Sequence, residues 1–231
     1  MRNDIELSLN ICYNLLKTKE SGELVRRGMD AGFAGRKWRI VFMQEQKVTA
    51  AEAMEKLIEG NKRYLTAMTN PGDVSPQIRQ VTCDEGQSPY AIVITCSDSR
   101  VIPESIFSAG IGELFVIRVA GNVMDNHQLG SVEYAAGHLG TKLVVVLGHS
   151  HCGAVGAALH QEPEGYTKFI TDEIRKAIGG EKDEYRACCL NVERSVSIIK
   201  ESLGIQDEDK DGLKVCGAVY HIDNGSVEFL D

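Results

Sequence analysis

The sequence predicts an α/β fold: a mainly parallel β-sheet flanked by helices, with a helical arm ahead of it. Three continuous apolar runs carry that reading, YAIVIT at 90–95, LFVIRV at 114–119 and KLVVVL at 142–147. Strands that are apolar along their whole length are buried on both faces, and helix-forming segments lie between these three. The chain has 231 residues, 43% hydrophobic and 25% charged, enough to bury one sizeable core.

The elements follow in chain order. Ile5, Leu9, Cys12 and Leu16 recur at helical spacing and predict a short amphipathic helix. GMDAGFAGRKWR comes next, rich in glycine and basic residues and without a period. Residues 1–47 therefore read as an N-terminal extension and 48–231 as the folded domain. Thr49 and Glu52 form a capping-box pattern that opens a helix, with Met54, Leu57, Ile58, Asn61 and Leu65 along one face. Pro71 and Pro76 predict a loop beyond it. After the first strand, Pro103 suits the first turn of a helix that Gly110 can end. A helix over 129–139, capped by Gly140, links the second and third strands. Helices are expected to fill much of 153–203, with the charged run Asp207–Asp211 as a solvated loop. VYHI and SVEFL flank Asp223-Asn224-Gly225, a hairpin turn signal.

Composition excludes some functions. A formal net charge of −8 repels phosphate backbones and argues against nucleic-acid binding. No apolar run approaches the roughly 18 residues of a membrane span. The N-terminus lacks a signal peptide's basic start, apolar stretch and cleavage site, so a cytoplasmic location is expected. There the seven cysteines are thiols or metal ligands rather than disulfides.

Two motifs fall at strand ends. Cys96-Ser97-Asp98-Ser99-Arg100 follows the first strand, and Gly148-His149-Ser150-His151-Cys152-Gly153 follows the third. Ligand sites of open parallel sheets lie beyond such ends, so the two segments can meet. Cys96, His149 and Cys152 make a Cys₂His set suited to zinc. Three protein ligands leave the fourth tetrahedral position for water, which zinc makes acidic enough to supply hydroxide near neutral pH. Two thiolates cancel the metal's formal charge, so a nearby acceptor is useful. Asp98 is within reach, and Arg100 can hold it by a bidentate pair.

Each piece alone is ordinary. A lone buried cysteine is usually a small core residue, and an Asp and Arg two apart are usually a turn or surface pair. Joint placement at two strand ends is what points to a metal. A structural zinc would be closed by a fourth ligand, for which His151 is the candidate; it reads better as a solvent-side residue or proton carrier. Cys83, Cys188, Cys189, Cys216, His127, His138, His160 and His221 lack a paired motif. Gly121, Gly148 and Gly153 are expected where backbone approaches the metal loops closely.

From about residue 49 to its end the chain resembles the β-class carbonic anhydrases. The resemblance rests on CSDSR, on RVAGN at 118–122, on GSVEYAAGHLG at 130–140, on VVVLGHSHCGAV at 144–155 and on GNKRY at 60–64. It implies a parallel sheet with flanking helices in a homodimer or dimer-based tetramer. N-terminal helices pack on the partner, and active sites lie along the interface. It implies a lyase that reversibly hydrates carbon dioxide to bicarbonate and a proton, with Zn²⁺ held by Cys96, His149 and Cys152. Asp98 and Arg100 would form a dyad, and Gln87 would bond substrate or product. Phe115 and Tyr134 would line the carbon dioxide pocket, partly across the dimer. One subgroup carries a tryptophan of an inhibitory bicarbonate site three residues before the first ligand. Val93 stands there, so that site is not expected. Two alternatives share the motif: a zinc hydrolase of carbonyl sulfide or carbon disulfide, and a non-enzymatic module with a structural zinc. The second gives no work to Asp98 or Arg100.

The change of pattern near Met43 motivates the hypothesis that the natural chain starts there. Intact mass of protein from its native source should then match a start at Met43; a species starting at Met1 contradicts it.

Overall fold

The computed structural model describes residues 48–202, Ile205 and 212–230. The 1–47 extension, its expected helix and the acidic run at 207–211 lie outside them. The described chain builds a five-stranded sheet from β1 (Ala91–Thr95), β2 (Leu114–Arg118), β3 (Leu143–His149), β4 (Lys214–Tyr220) and β5 (Val227–Leu230). The order is β2-β1-β3-β4-β5, with β5 alone antiparallel. The three apolar runs are strands as expected, and β3 extends two residues further, so that His149 is its last residue.

Period-two alternation divides these strands between two cores. Ile92, Ile94, Val144, Val146 and Val219 face one layer, which holds α4 (Asn126–Glu133) and α7 (Glu184–Glu201). Ala91, Val93, Leu143, Val145, Leu147 and Tyr220 face the other, which holds α1 (Ala50–Tyr64) and α3 (Pro103–Ile106). A smaller core lies under α5 (Gly153–His160), α6 (Thr167–Ile178) and the start of α7. Among the described residues no helix is long and apolar enough to cross a membrane.

Several elements differ from expectation. The capping box of α1 forms, with Thr49 accepting from Glu52 and Glu52 accepting from the Thr49 amide. The buried face, however, is Ala53, Leu57, Gly60 and Asn61; Ile58 and Leu65 are exposed. The face is small because α1 lies on the backbone of the segment after α3. A Cβ on Gly60 would collide with the Phe107 carbonyl oxygen. Asn61 is buried but fully used: Nδ2 donates to the Ile106 and Gly225 carbonyls, and Oδ1 accepts from the Val227 amide. Pro76 does not sit in a loop. It opens α2 (Pro76–Glu85), capped by Ser75, where its missing N–H costs nothing. α3 stops at Ile106, well before Gly110. The helix expected over 129–139 starts earlier, because Asp125 and Gln128 form a second capping box. It continues as a π-helical turn, Tyr134–His138, before Gly140 at φ +70°. The hairpin joins β4 to β5 as expected.

This topology places the site. The chain leaves β1 for β2 on one side and leaves β3 for β4 on the other, so the crevice between the carboxyl ends of β1 and β3 is a switch point. Cys96 and His149 stand there.

Alanine for glycine within an exposed helix normally stabilises by about 1 kcal/mol. Gly60→Ala is expected to do the reverse, lowering stability by ~1–3 kcal/mol through overpacking. Denaturant unfolding reads the sign, and a stabilised variant would contradict this packing.

Candidate metal centre

Cys96 follows β1, His149 ends β3, and Cys152 is the N-cap of α5. Their ligand atoms all lie within 4.8 Å of one another, and all three residues are buried. The strand ends are locked together by the Thr95 hydroxyl, which donates to the Leu147 carbonyl at 2.7 Å.

His149 is set up as a ligand. Its Nδ1–H donates to the Ser150 carbonyl at 2.9 Å, which leaves the lone pair on Nε2. Nε2 is buried and has no hydrogen-bond partner. An orphaned acceptor of that kind is costly unless something binds it. The Cys96 thiol is held well below the ordinary thiol range. The Cys152 thiol donating to it is the main cause; the Gly121 and Asp98 amides add to it, against burial. Those amides lie 3.2 and 3.4 Å from the sulfur. Cys152 moves up in the same exchange, so the two sulfurs share one proton. A soft cation replacing that proton would satisfy both sulfurs and the imidazole, so the residues fit zinc.

The Asp98–Arg100 dyad is present in bidentate form. Arg100 Nε donates to Asp98 Oδ1 at 3.0 Å and Nη2 to Oδ2 at 2.7 Å, with the Arg100 amide also on Oδ1. The guanidinium beside it holds the Asp98 carboxyl well below the usual carboxylate range. Arg100 Nη2 also donates to the His151 carbonyl, tying this loop to the other ligand loop. His151 itself is exposed, at φ +54°, and does not join the ligand group.

Gln87, Phe115 and Tyr134 are not gathered at this cluster within the chain. Gln87 is exposed in the loop before β1. Phe115 pairs with Tyr134, ring centroids 6.1 Å apart, and Tyr134 is 46% exposed. Phe115 lies beside Ile92, four residues before Cys96, or about 13 Å along the strand.

Sequence reasoning missed the groups that hold the loops. Arg118 donates from Nε to the Cys96 carbonyl and from Nη2 to the Asp98 carbonyl. The Cys188 thiol, which burial pushes up to about 12, donates to the His149 carbonyl at 3.3 Å. Gly121 and Gly148 are close approaches as expected: a Cβ would lie 2.8 Å from Ile174 and 2.5 Å from Val192 respectively. Gly153 is not, since its Cβ would meet nothing within 4 Å.

A family model described as carbonic anhydrase matches residues 91–227. A carbonic anhydrase of Mycolicibacterium smegmatis is 36% identical over 190 residues, covering 76% of this chain and 91% of that protein. A β-carbonic anhydrase of the fungus Aspergillus fumigatus is 28% identical with a TM-score of 0.63, over 67% of this chain and 81% of that one. One of two tetrameric β-carbonic anhydrases of Sordaria macrospora is 26% identical with a TM-score of 0.60, over 78% and 94%. Matched by family model over more than half its length, and by fold to solved members, this chain belongs to the carbonic anhydrase family, in its β class.

Proposed function

We propose that this protein, through its domain 48–231, catalyses the reversible hydration of carbon dioxide to bicarbonate and a proton. Cys96 Sγ, His149 Nε2 and Cys152 Sγ would hold the zinc. The observation that carries this is the unpartnered, buried Nε2 facing two thiols, beside a carboxylate locked by Arg100. Bound there, zinc supplies the Lewis acidity that makes hydroxide available near neutral pH.

The chain's own groups do the rest. Asp98 is an anion, so it can only accept. It takes the O–H of the attacking hydroxide and aims the oxygen lone pair at carbon. Arg100 keeps Asp98 charged and fixed in place. Gln87 lies before β1, at the other end of that strand from this chain's cluster, and would bond the product oxygen in the site of a second protomer. The Phe115–Tyr134 pair is too far along the sheet to line this chain's own cluster, so it serves the site of a second protomer. Its half-exposed ring supports a homodimeric unit, as do the tetrameric relatives. The six described cysteines are free thiols, and ligand thiols persist in a reducing compartment, which supports a cytoplasmic location.

A structural zinc would need a fourth closing ligand, and no fourth Cys, His or carboxylate joins the group among the described residues. The dyad gives the catalytic reading work for Asp98 that a structural site would not use. Nothing in the site favours a sulfur-containing substrate over carbon dioxide.

Asp98→Asn removes the charge but little volume. We expect it to keep one zinc per chain and to lose hydration activity by roughly 100-fold or more. Metal analysis with stopped-flow hydration checks this; full activity with zinc bound would refute the role of Asp98.

A further inference from the structure

One face of α7 supports the ligand cluster from behind. Residues 188, 191 and 195 are spaced three and four apart, so they share that face. Each donates to a backbone carbonyl around the site: Cys188 to His149 at 3.3 Å, Asn191 Nδ2 to Gly121 at 2.7 Å, and Ser195 to Asn122 at 3.0 Å. All three are 2% exposed. Val192, between them, occupies the space where side chains on Gly148 and Gly217 would be, so the helix lies directly on β3 and β4.

The turn Ala120–Asn122 depends on its surroundings to hold its shape. Gly121 and Asn122 both take left-handed backbone, at φ +69° and +45°. Such residues are costly outside glycine and persist where surroundings fix them. The Asn122 amide bonds back to the Val119 carbonyl, while the Gly121 and Asn122 carbonyls go to α7. Yet this turn delivers the Gly121 N–H to the Cys96 sulfur, the shorter of the two amide contacts on it.

We propose that Asn191 is a positioning residue for the metal centre: by pinning the Gly121 carbonyl it keeps the Gly121 N–H on the Cys96 sulfur, and so sets that sulfur's strength as a ligand. This rests on Cys96, His149 and Cys152 being the zinc ligands. Groups that orient metal ligands typically contribute 10- to 100-fold in metal affinity. Asn191 acts one bond further out, through a backbone unit that glycine makes movable.

The test measures zinc affinity by chelator competition, and the thiolate-to-cobalt absorption of the cobalt(II)-substituted full chain. Asn191→Leu keeps volume and removes the donor. It is expected to weaken zinc binding roughly 10- to 100-fold and to change the cobalt band. Gly60→Ala, destabilised where α1 packs on the segment after α3 and not at α7, should keep wild-type affinity and spectrum. Should Asn191→Leu not fold, Asn191→Ala leaves room for a water and carries both readouts. Asn191 variants that lose thermal stability yet keep wild-type affinity and spectrum overturn the proposal. A wild-type chain that takes up no zinc, or keeps it in Cys96→Ser, overturns the ligand assignment and this inference with it.

Discussion

Two buried thiols and the bare nitrogen of a buried imidazole converge within 4.8 Å, and the surrounding structure is arranged around that constraint. Left to themselves the sulfurs share a proton, and Nε2 has nothing to bind. Burial makes the arrangement unfavourable without a cation and tight with one. Two adjacent parallel strands, joined by a buried threonine bond, present their carboxyl ends to one crevice.

Rigidity alone does not place a carboxylate, and Asp98 is held by different means. Its loop leaves β1 and turns back through the Val101 amide, which bonds the Asp98 carbonyl. Arg118 reaches across from β2 to the same carbonyl and to that of Cys96. Arg100 then takes both carboxylate oxygens and the His151 carbonyl. One arginine thus joins the two loops that carry the metal ligands, while the other fixes the first loop to the sheet. Arg100 is half exposed, so its pair with Asp98 adds little to stability; its value is in orientation and charge.

Much of this was legible in sequence. Fully buried strands write themselves as unbroken apolar runs, and a parallel sheet brings their ends together whatever the spacing along the chain. That is why Cys96 could be paired with His149 and Cys152; Asp98 and Arg100 were readable from their closeness in one motif. The misses have separate causes. Ala53 and Gly60 carry the contact face of α1, and small residues leave no hydrophobic signal; Ile58 and Leu65 leave a signal but face outward. The start of α4 lay in Asp125 and Gln128, a capping box whose pattern was present and unused. Asn191 and Ser195 act through backbone carbonyls about seventy residues away, a relation with no spacing to read. The one available hint was a polar set, 188, 191 and 195, on the same helix face as the apolar Val192 and Ile199.

The most direct test of the account is carbon dioxide hydration by stopped flow, from pH 7 to 9, with bound zinc counted in each sample. Fast hydration that rises in proportion to zinc, and disappears on removing it, is the predicted result. Full zinc occupancy at the Cys96–His149–Cys152 cluster with no hydration across that range would contradict it.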